Sequence, residues 1–252
     1  VTVQKLMDFA RWYNYATQIL PLSERNLSIP SVFNDSIIRG IMLFMTTDQR
    51  HHWNNLHQED KAKLEEPTTF AKEVQQILHT KVKILELGCG SGKDAIFFAE
   101  QGNTVVASDF SDVLIAKNKK EYPLSELTFQ TIDISKKMPF QNNEFDIIYS
   151  RLSLHYFADK TTKNIFKELH RILKPSGFLC FICKSIKDPL YGKGKKVEED
   201  MFEDNGHIRH FFSEEYAKEC LTGLFKITKL ESGEEQFYNR PSTFVKVIAQ
   251  KK

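Results

Sequence analysis

The sequence predicts an α/β fold in which a mostly parallel β-sheet lies between two layers of helices. From residue 68 onwards, short apolar runs alternate with amphipathic stretches, as strands alternate with helices. This alternation is typical of parallel strands joined by crossover helices. The end of the chain differs, because the strand-like runs 226–231 and 243–249 leave no room for a crossover helix between them. We therefore expect these two strands to pair antiparallel at one edge of the sheet.

The predicted elements begin with a helix, a buried strand and a glycine loop. Four apolar residues share one face of the first helix: Phe70, Val74, Ile77 and Leu78. The apolar run 82–87 predicts a strand, which leads into the glycine-rich segment 88–92. A helix over 94–101 follows, and Gly102 predicts its end as a C-terminal cap.

Two further strands enclose a capped helix. The run 104–108 predicts the second strand, and Ser111 can cap the helix that follows it. That helix must end before Pro123, because a proline disfavours helical backbone at the residue before it. The third strand is predicted over 127–132.

The alternating pattern ends with two strands and a long helix between them. The fourth strand is predicted over 145–150, and the fifth over 178–183, after a turn at 174–177. The apolar side of the helix consists of Ile165, Phe166, Leu169, Ile172 and Leu173. Helices between successive parallel strands cover both faces of the sheet.

The cysteines predict buried structural side chains rather than a metal or redox site. Cys180 and Cys183 have the spacing of a pair of metal ligands, but they lie in an apolar, strand-like run. Residues three apart on a strand point to opposite faces, so the two thiols do not easily share a metal. We therefore expect no bound metal.

The composition is that of an ordinary globular protein. The chain has 252 residues, 41% hydrophobic and 27% charged, and its formal net charge is +2. This weak basic balance argues against a nucleic-acid partner. No apolar run approaches the roughly 20 residues of a membrane helix, and Asp8 and Arg11 interrupt the N-terminal apolar stretch, unlike a signal peptide. We expect a cytoplasmic protein with neither nucleic acid nor membrane as partner.

The chain is expected to contain an appendage and a catalytic unit. Residues 1–44 hold one amphipathic stretch and a polar segment with two prolines, which we interpret as the appendage. The catalytic unit is expected over 45–252. Within it, the insertion 184–212 precedes the last helix, and its glycines and charges favour a mobile lid.

Candidate cofactor-binding residues lie where the predicted strands end. Ligands of open α/β sheets bind beyond the carboxyl ends of the strands. After the first strand, Gly88 and Gly90 let the backbone turn sharply and approach a ligand. Asp109 follows the second strand and can accept hydrogen bonds from ribose hydroxyls. Asp133 follows the third strand and can accept a hydrogen bond from an adenine amine.

The side chains around these carboxylates favour a cofactor without phosphates. Phe110 and Ile134 could sandwich an adenine ring, and Glu86 could help to hold a cationic amine. Lys93 stands where a dinucleotide fingerprint would have its third glycine, and the chain has no phosphate loop. Three carboxylates without a cationic phosphate cradle suit a cofactor with an amino-acid end, a ribose and an adenine.

Taken together, these segments resemble the class I, S-adenosylmethionine-dependent methyltransferases. The resemblance rests on five segments, which occur in the expected order: 84–92, 106–110, 131–133, 145–150 and 171–177. It implies a Rossmann-like, three-layer fold with seven strands, of which the last is antiparallel. It also implies S-adenosyl-L-methionine as cofactor and methyl transfer to an acceptor by in-line displacement.

The resemblance also assigns roles to individual residues. The candidate cofactor ligands are Glu86, Gly88, Cys89, Gly90, Asp109, Phe110, Asp133, Ile134 and Ser150. The loop after the first strand would hold the methionine end, Asp109 the ribose and Asp133 the adenine. The segment 150–155 would line the sulfonium, and His155 at its end is the candidate catalytic base.

Simpler interpretations of these residues stay open. The glycines could form only a tight turn. Asp109 could cap a helix, although Ser111 is the better cap, and Asp133 could be a surface turn residue. His155 could be a packed residue that supports the loop, because methyl transfer needs a base only if the acceptor must lose a proton early.

A small-molecule acceptor is expected. The segment 150–153 lacks the Asn/Asp-Pro-Pro-Tyr/Phe pattern of enzymes that methylate DNA bases. Candidate acceptor residues are Trp53 before the first helix and Tyr191, His207 and Arg209 in the insertion, where cationic groups could face an anion. Both regions are similar to small-molecule methyltransferases of the tellurite-resistance and thiopurine type. An exposed helix start and a solvated lid without substrate contact are the alternatives.

Two other functions stay open. A protein or RNA methyltransferase would be favoured by a clustered basic surface, which the sequence does not show. A non-catalytic module that keeps the cofactor pocket is compatible with the same site residues. A dehydrogenase is disfavoured by Lys93 at the third glycine position.

Overall fold

The computed structural model describes Arg50, Trp53, Asn54 and residues 66–78, 80–204, 206–237 and 240–252. The chain divides into two compact units, Val1–His57 and Gln58–Lys252. In the first unit the three described residues are helical. The predicted boundary between an appendage at 1–44 and a catalytic unit from 45 lies outside the described residues and stays a prediction.

The described part of the second unit contains five helices and ten strands. The helices are α1 (Thr69–Gln76), α2 (Lys93–Glu100), α3 (Asp112–Glu121), α4 (Asp159–Ile172) and α5 (Glu214–Leu221). The first five strands are β1 (Lys83–Leu87), β2 (Thr104–Asp109), β3 (Leu127–Thr131), β4 (Phe145–Arg151) and β5 (Leu173–Lys184). The others are β6 (Lys195–Glu198), β7 (Met201–Asp204), β8 (His207–His210), β9 (Phe225–Phe237) and β10 (Arg240–Lys251).

Seven of these strands form one sheet in the order β3-β2-β1-β4-β5-β10-β9. The strands β1 to β5 pair in parallel. The last strand, β10, is antiparallel both to β5 and to β9. The predicted parallel sheet, its antiparallel last strand and the pairing of the two terminal strands at one edge are therefore confirmed.

Two apolar clusters cover the two faces of this sheet. One contains Phe70 of α1 and Phe98 of α2, and the other contains Phe166 of α4 and Leu221 of α5. Cys180 lies in the first cluster and Cys183 in the second, as expected from their spacing on one strand. All four cysteines are buried and free. Among the described helices, none is long and apolar enough to cross a membrane.

The helix ends follow the predicted signals. The side chain of Ser111 accepts a hydrogen bond from the Leu114 amide at 3.2 Å at the start of α3. The Gly102 amide donates to the Ala99 carbonyl after α2. Such contacts pair backbone groups that a helix leaves without internal partners.

A buried carboxylate connects three of the elements on one face of the sheet. Asp94 of α2 is 2% exposed. It accepts hydrogen bonds from the amide and the hydroxyl of Thr68, both at 2.8 Å, and from the hydroxyl of Tyr149 in β4 at 2.7 Å. Thr68 also caps α1 by accepting from the Ala71 amide. The start of α1 is thereby tied to α2 and to the centre of the sheet.

The fifth strand begins earlier than the sequence indicates. The predicted turn at 174–177 lies within β5, because Phe145 pairs with Leu173 while Ile147 pairs with Phe178. The additional residues between these pairs form a bulge, in which Ser176 has a φ of 63°. A bulge keeps two strands paired on either side of extra residues, so the turn signal did not end the strand.

The insertion predicted as a mobile lid forms a second small sheet. Its strands β6, β7 and β8 are antiparallel neighbours. Tyr191 packs edge-on against Phe202 and Phe211, with ring centroids 5.1 and 5.5 Å away. The Phe212 amide donates to the Lys184 carbonyl at 2.8 Å and joins the end of the insertion to β5. The sequence did not predict these strands, since each has only four residues of mixed polarity.

Candidate functional site

The loop after β1 is held open by contacts to its backbone. Gly90 has a φ of 53°, a conformation that glycine adopts at little cost. Its amide donates to Asp109 Oδ2 at 3.0 Å, and its carbonyl accepts from Asn118 Nδ2 at 2.8 Å. A Cβ added at Gly90 would meet no atom within 4 Å, whereas one at Gly88 would collide with Ser153. The loop therefore presents an open backbone surface at Gly90.

Asp109 organises both the glycine loop and the start of α3. Besides the Gly90 amide, it accepts the Ser111 amide at 2.9 Å through Oδ1. Ser111, as predicted, is the residue that caps α3. Each carboxylate oxygen can accept a second hydrogen bond, so a ribose diol remains a compatible partner for Asp109.

Glu86 lies directly under this loop with one oxygen unpartnered. The side chain is 3% exposed, and Oε2 has no hydrogen-bond partner among the described residues. Burial raises the pKa of Glu86 well above its ordinary value, and the charges of Asp94 and Asp109 raise it further. A buried acceptor without a partner is costly. A donor such as the ammonium group of an amino acid would satisfy this oxygen, and a methionine end therefore fits the site.

The end of β3 carries the second predicted carboxylate. Asp109 pairs in register with Thr131, which places Asp133 at the same edge of the sheet as Asp109. Asp133 Oδ1 accepts the Ser135 hydroxyl at 2.6 Å, and Oδ2 pairs with Lys136 at 3.0 Å. Burial opposes ionisation of Asp133, but the hydrogen bonds from Ser135 and Lys136 outweigh it and lower its pKa. These contacts suit a surface turn as well, so the adenine contact stays a prediction.

The two apolar residues predicted beside the adenine flank these strand ends. Phe110 follows β2 and Ile134 follows Asp133, and both are half-buried. Ile134 packs against the apolar cluster on the α4 face of the sheet. Partly exposed apolar surface at the carboxyl ends of neighbouring strands suits a planar ring, and the sandwich itself stays a prediction.

The segment after β4 is strained and tied to the glycine loop. Leu152 has a φ of 61°, which is unfavourable for a side chain branched beyond Cβ. The hydroxyls of Ser150 and Ser153 are 2.6 Å apart, and Ser153 donates to the Leu87 carbonyl at 2.8 Å. The segment proposed to line the sulfonium therefore lies close to the end of β1. Ser150 itself is fully buried.

His155 is a buried imidazole with a lowered pKa. It is fully buried, and neither ring nitrogen has a hydrogen-bond partner among the described residues. Burial lowers its pKa well below the ordinary value, and the charges of Lys184, Arg209 and His210 lower it further. A low pKa weakens a general base, so this environment suits the packed interpretation at least as well. Its catalytic role stays a prediction.

The predicted acceptor residues belong to two different units. Trp53 belongs to the first unit, Val1–His57, and the other three belong to the second. Tyr191 donates its hydroxyl to Asp200 at 2.6 Å and packs within the insertion. His207 and Arg209 lie on β8, both half-buried, and Arg209 Nε is buried without a partner among the described residues. The residue next to Arg209, His210, donates its amide to the His155 carbonyl at 2.9 Å, and this bond ties β8 to the segment after β4.

Three residues that were not singled out also contribute to this region. Asn118 of α3 is 2% exposed, on a helix face with Leu114 and Ile115, and a polar residue at such a position is a detectable signal. Arg151 and Lys184 are the last residues of β4 and β5. The rule that ligands lie beyond strand ends could have found both of them.

Among the described residues, no group of three or more histidine, cysteine or acidic side chains is placed to hold a metal.

Comparisons with known proteins agree with this geometry. The family model "Methyltransferase domain" matches residues 84–177, which include the glycine loop and both strand-end carboxylates. An uncharacterized methyltransferase of Synechocystis is 30% identical over 100 residues, which are 40% of this chain and 46% of that protein. The chain spans about half the length or less of the first curated relatives that it matches.

Solved structures share the fold. A SAM-dependent methyltransferase of Methanosarcina mazei superposes with a TM-score of 0.65 at 22% identity, over 74% of this chain and 99% of that one. The 1,6-didemethyltoxoflavin-N1-methyltransferase of Burkholderia thailandensis has a TM-score of 0.59 at 18% identity, over 86% of this chain and 88% of that one. Residues 84–177 are therefore similar in sequence to a methyltransferase domain, and the chain shares its fold with these solved structures.

Proposed function

We propose that the chain binds S-adenosylmethionine across the carboxyl ends of β1, β2 and β3 and transfers its methyl group to a small molecule. The observation that carries this proposal is the arrangement around Gly90. Its amide and carbonyl are fixed by Asp109 and Asn118, the position of its missing Cβ is open, and the unpartnered Glu86 oxygen lies beneath.

The protein residues act mainly by binding and alignment. Glu86 would accept the cofactor ammonium, Asp109 the ribose hydroxyls and Asp133 the adenine amine, with Phe110 and Ile134 beside the ring. When bound, the cofactor supplies a methyl group already activated by a sulfonium. The segment 150–155 would hold the acceptor in line with that methyl group and exclude water.

Support for a small acceptor comes from a neighbour in fold. The Burkholderia enzyme was solved with 1,6-didemethyltoxoflavin and S-adenosylhomocysteine bound, and it superposes over most of both chains. A protein or RNA acceptor and a non-catalytic module remain the alternatives. Transfer of labelled methyl groups to thiols, phenols, amines or selenium and tellurium oxyanions would distinguish the proposed function from both, because neither a binding module nor an enzyme that acts on protein or RNA would label these acceptors.

Removal of the Asp109 carboxylate is expected to weaken cofactor binding. Asp109→Ala leaves the Gly90 and Ser111 amides, and the proposed ribose hydroxyls, without their hydrogen-bond acceptor. We expect a loss of about 1–3 kcal/mol in the binding free energy of S-adenosylhomocysteine, measured by calorimetric titration. Asp146→Ala is the matched control. Asp146 lies near the amino end of β4, away from the carboxyl ends of the strands, where it accepts from the Lys83 amide and pairs with Lys174. Unchanged affinity in Asp109→Ala would contradict the proposed site.

A further inference from the structure

We propose that the methyl acceptor carries an oxyanion group, a carboxylate or a phosphate, and that this group binds between Arg151 and Arg209. The proposal rests on the proposed function and specifies the substrate class of the same site. It is carried by a cluster of cationic side chains near the carboxyl ends of β4 and β5. This cluster contains more cationic groups than carboxylates paired with them.

Two cations extend from neighbouring strand ends onto one aromatic ring. Arg151 ends β4 and Lys184 ends β5, and Arg151 pairs in register with Ile182, two residues before Lys184. The Arg151 guanidinium lies 4.7 Å from the centroid of the Phe237 ring, and Lys184 Nζ lies 5.6 Å from the same centroid. Phe237 ends β9 and is buried. Both cations therefore contact the same aromatic ring.

The small sheet adds a third cation to this cluster. The His210 amide at the end of β8 donates to the His155 carbonyl at 2.9 Å, and the Phe212 amide donates to the Lys184 carbonyl at 2.8 Å. These bonds dock the residues beside Arg209 onto the segment after β4 and onto the end of β5. Burial lowers the pKa of Lys184, Asp188 opposes this, and the charge of Arg209 lowers it further. Arg209 therefore lies within electrostatic reach of Lys184.

The carboxylates of this region do not neutralise the cluster. Lys184 is satisfied by Asp188 at 2.8 Å and by the Ser242 hydroxyl at 2.9 Å. Arg151 has Glu235 only at 4.0 Å, the outer limit of an ion pair. Among the described residues, no carboxylate forms an ion pair with Arg209.

The carboxylates whose charges reach His210 already have partners. They are Asp159, Glu198 and Asp200. Asp159 accepts from Tyr216 and pairs with Lys163, and Asp200 accepts from Tyr191. Glu198 accepts the Asp159 amide at 3.0 Å. An external anion is therefore the partner that fits the two guanidinium groups.

Unpartnered nitrogen atoms indicate where this anion binds. Arg151 Nε, Arg209 Nε and both ring nitrogens of His155 are buried without hydrogen-bond partners among the described residues. Buried donors without partners are uncommon and costly. A carboxylate or phosphate matches the planar fork of a guanidinium and can receive two parallel hydrogen bonds from it.

This position places the acceptor beside the cofactor. Burial raises the pKa of Glu86, whereas the charge of Arg151 lowers it, so Arg151 is also within electrostatic reach of the cofactor loop. An oxyanion held at Arg151 would leave the rest of the acceptor next to the strained segment after β4. The anion then serves as an anchor, and the methyl-accepting atom is a different group of the same molecule.

The test titrates inorganic phosphate and acetate, in separate arms, into the full chain saturated with S-adenosylhomocysteine at constant ionic strength. We expect binding with a Kd on the order of millimolar, and a loss of about 10- to 100-fold in Arg209→Gln. Arg209→Lys should recover part of this loss, because lysine keeps the positive charge but lacks the two parallel N–H donors of the guanidinium group. Lys196→Gln is the control, since Lys196 is exposed on β6 and pairs with Glu199; its anion affinity should be unchanged.

The outcomes separate this proposal from the proposed function. If S-adenosylhomocysteine binds but neither anion does, or if Arg209→Gln binds the anions as wild type does, the oxyanion proposal is wrong and the cofactor site stands. If S-adenosylhomocysteine itself does not bind wild type, the proposed function fails first. A preference for phosphate over acetate, or the reverse, identifies which oxyanion the acceptor carries. Equal S-adenosylhomocysteine affinity of Arg209→Gln and wild type shows that the variant is folded.

Discussion

Gly90→Val is expected to abolish cofactor binding while the fold is retained. At the φ of 53° found here, a residue other than glycine is strained by about 1–3 kcal/mol. No protein atom lies within 4 Å of the added Cβ, so the new side chain does not collide with the protein. It projects instead over the backbone surface that is proposed to contact the methionine end. We expect a loss of S-adenosylhomocysteine affinity of about 100-fold or more.

The control for this variant is a glycine with the same backbone conformation elsewhere. Gly223, after α5, has a φ of 77° and also has no atom within 4 Å of an added Cβ. Gly223→Val should therefore lose comparable stability in urea unfolding but keep its cofactor affinity in calorimetric titration. Normal binding by Gly90→Val would mean that the loop is not the cofactor site. Equal loss of binding in both variants would mean that strain, and not obstruction, is responsible.

The parts of the site that the sequence predicted are those that depend on strand order and strand ends. In a parallel sheet the carboxyl ends of neighbouring strands meet at one edge, so Asp109 and Asp133 were expected to lie together. Asp109 pairs with Thr131, two residues before Asp133, and the shared cofactor contact stays a prediction. The cap at Ser111 was predictable for a similar reason, since it depends on local sequence alone.

The parts that it did not predict depend on contacts between distant segments. Phe237 is 86 residues after Arg151 in the chain (237 − 151), and their contact depends on β9 and β10, which pair with each other beyond the end of β5. The short strands β6 to β8 have no periodic pattern to detect, and their pairing is visible only in the structure. The expectation of a mobile lid rested on glycine and charge content, which fits loops and short antiparallel sheets equally well, and it stays a prediction.

Asp94→Ala is expected to have the largest effect on stability. The variant removes the acceptor for the Thr68 amide and hydroxyl and for the Tyr149 hydroxyl, all within a core that excludes water. Thr68 and Tyr149 can still bond to each other, since their hydroxyls are 3.1 Å apart. The Thr68 amide then has no acceptor in this network. We expect the free energy of unfolding to fall by about 3 kcal/mol, measured by urea denaturation of the full chain.

Tyr149→Phe provides the comparison that assigns this loss to the carboxylate. It removes one donor but leaves Asp94 with both groups of Thr68, so the expected loss is about 1 kcal/mol. The double variant should lose less than the sum of the two, because both substitutions disrupt the same hydrogen bond. An unchanged unfolding midpoint in Asp94→Ala, or strictly additive losses, would contradict the network.

The same network is also expected to affect the glycine loop, because Asp94 is the second residue of α2 and its charge reaches Glu86. Asp94→Ala should therefore weaken S-adenosylhomocysteine binding as well, whereas Tyr149→Phe should leave it nearly unchanged.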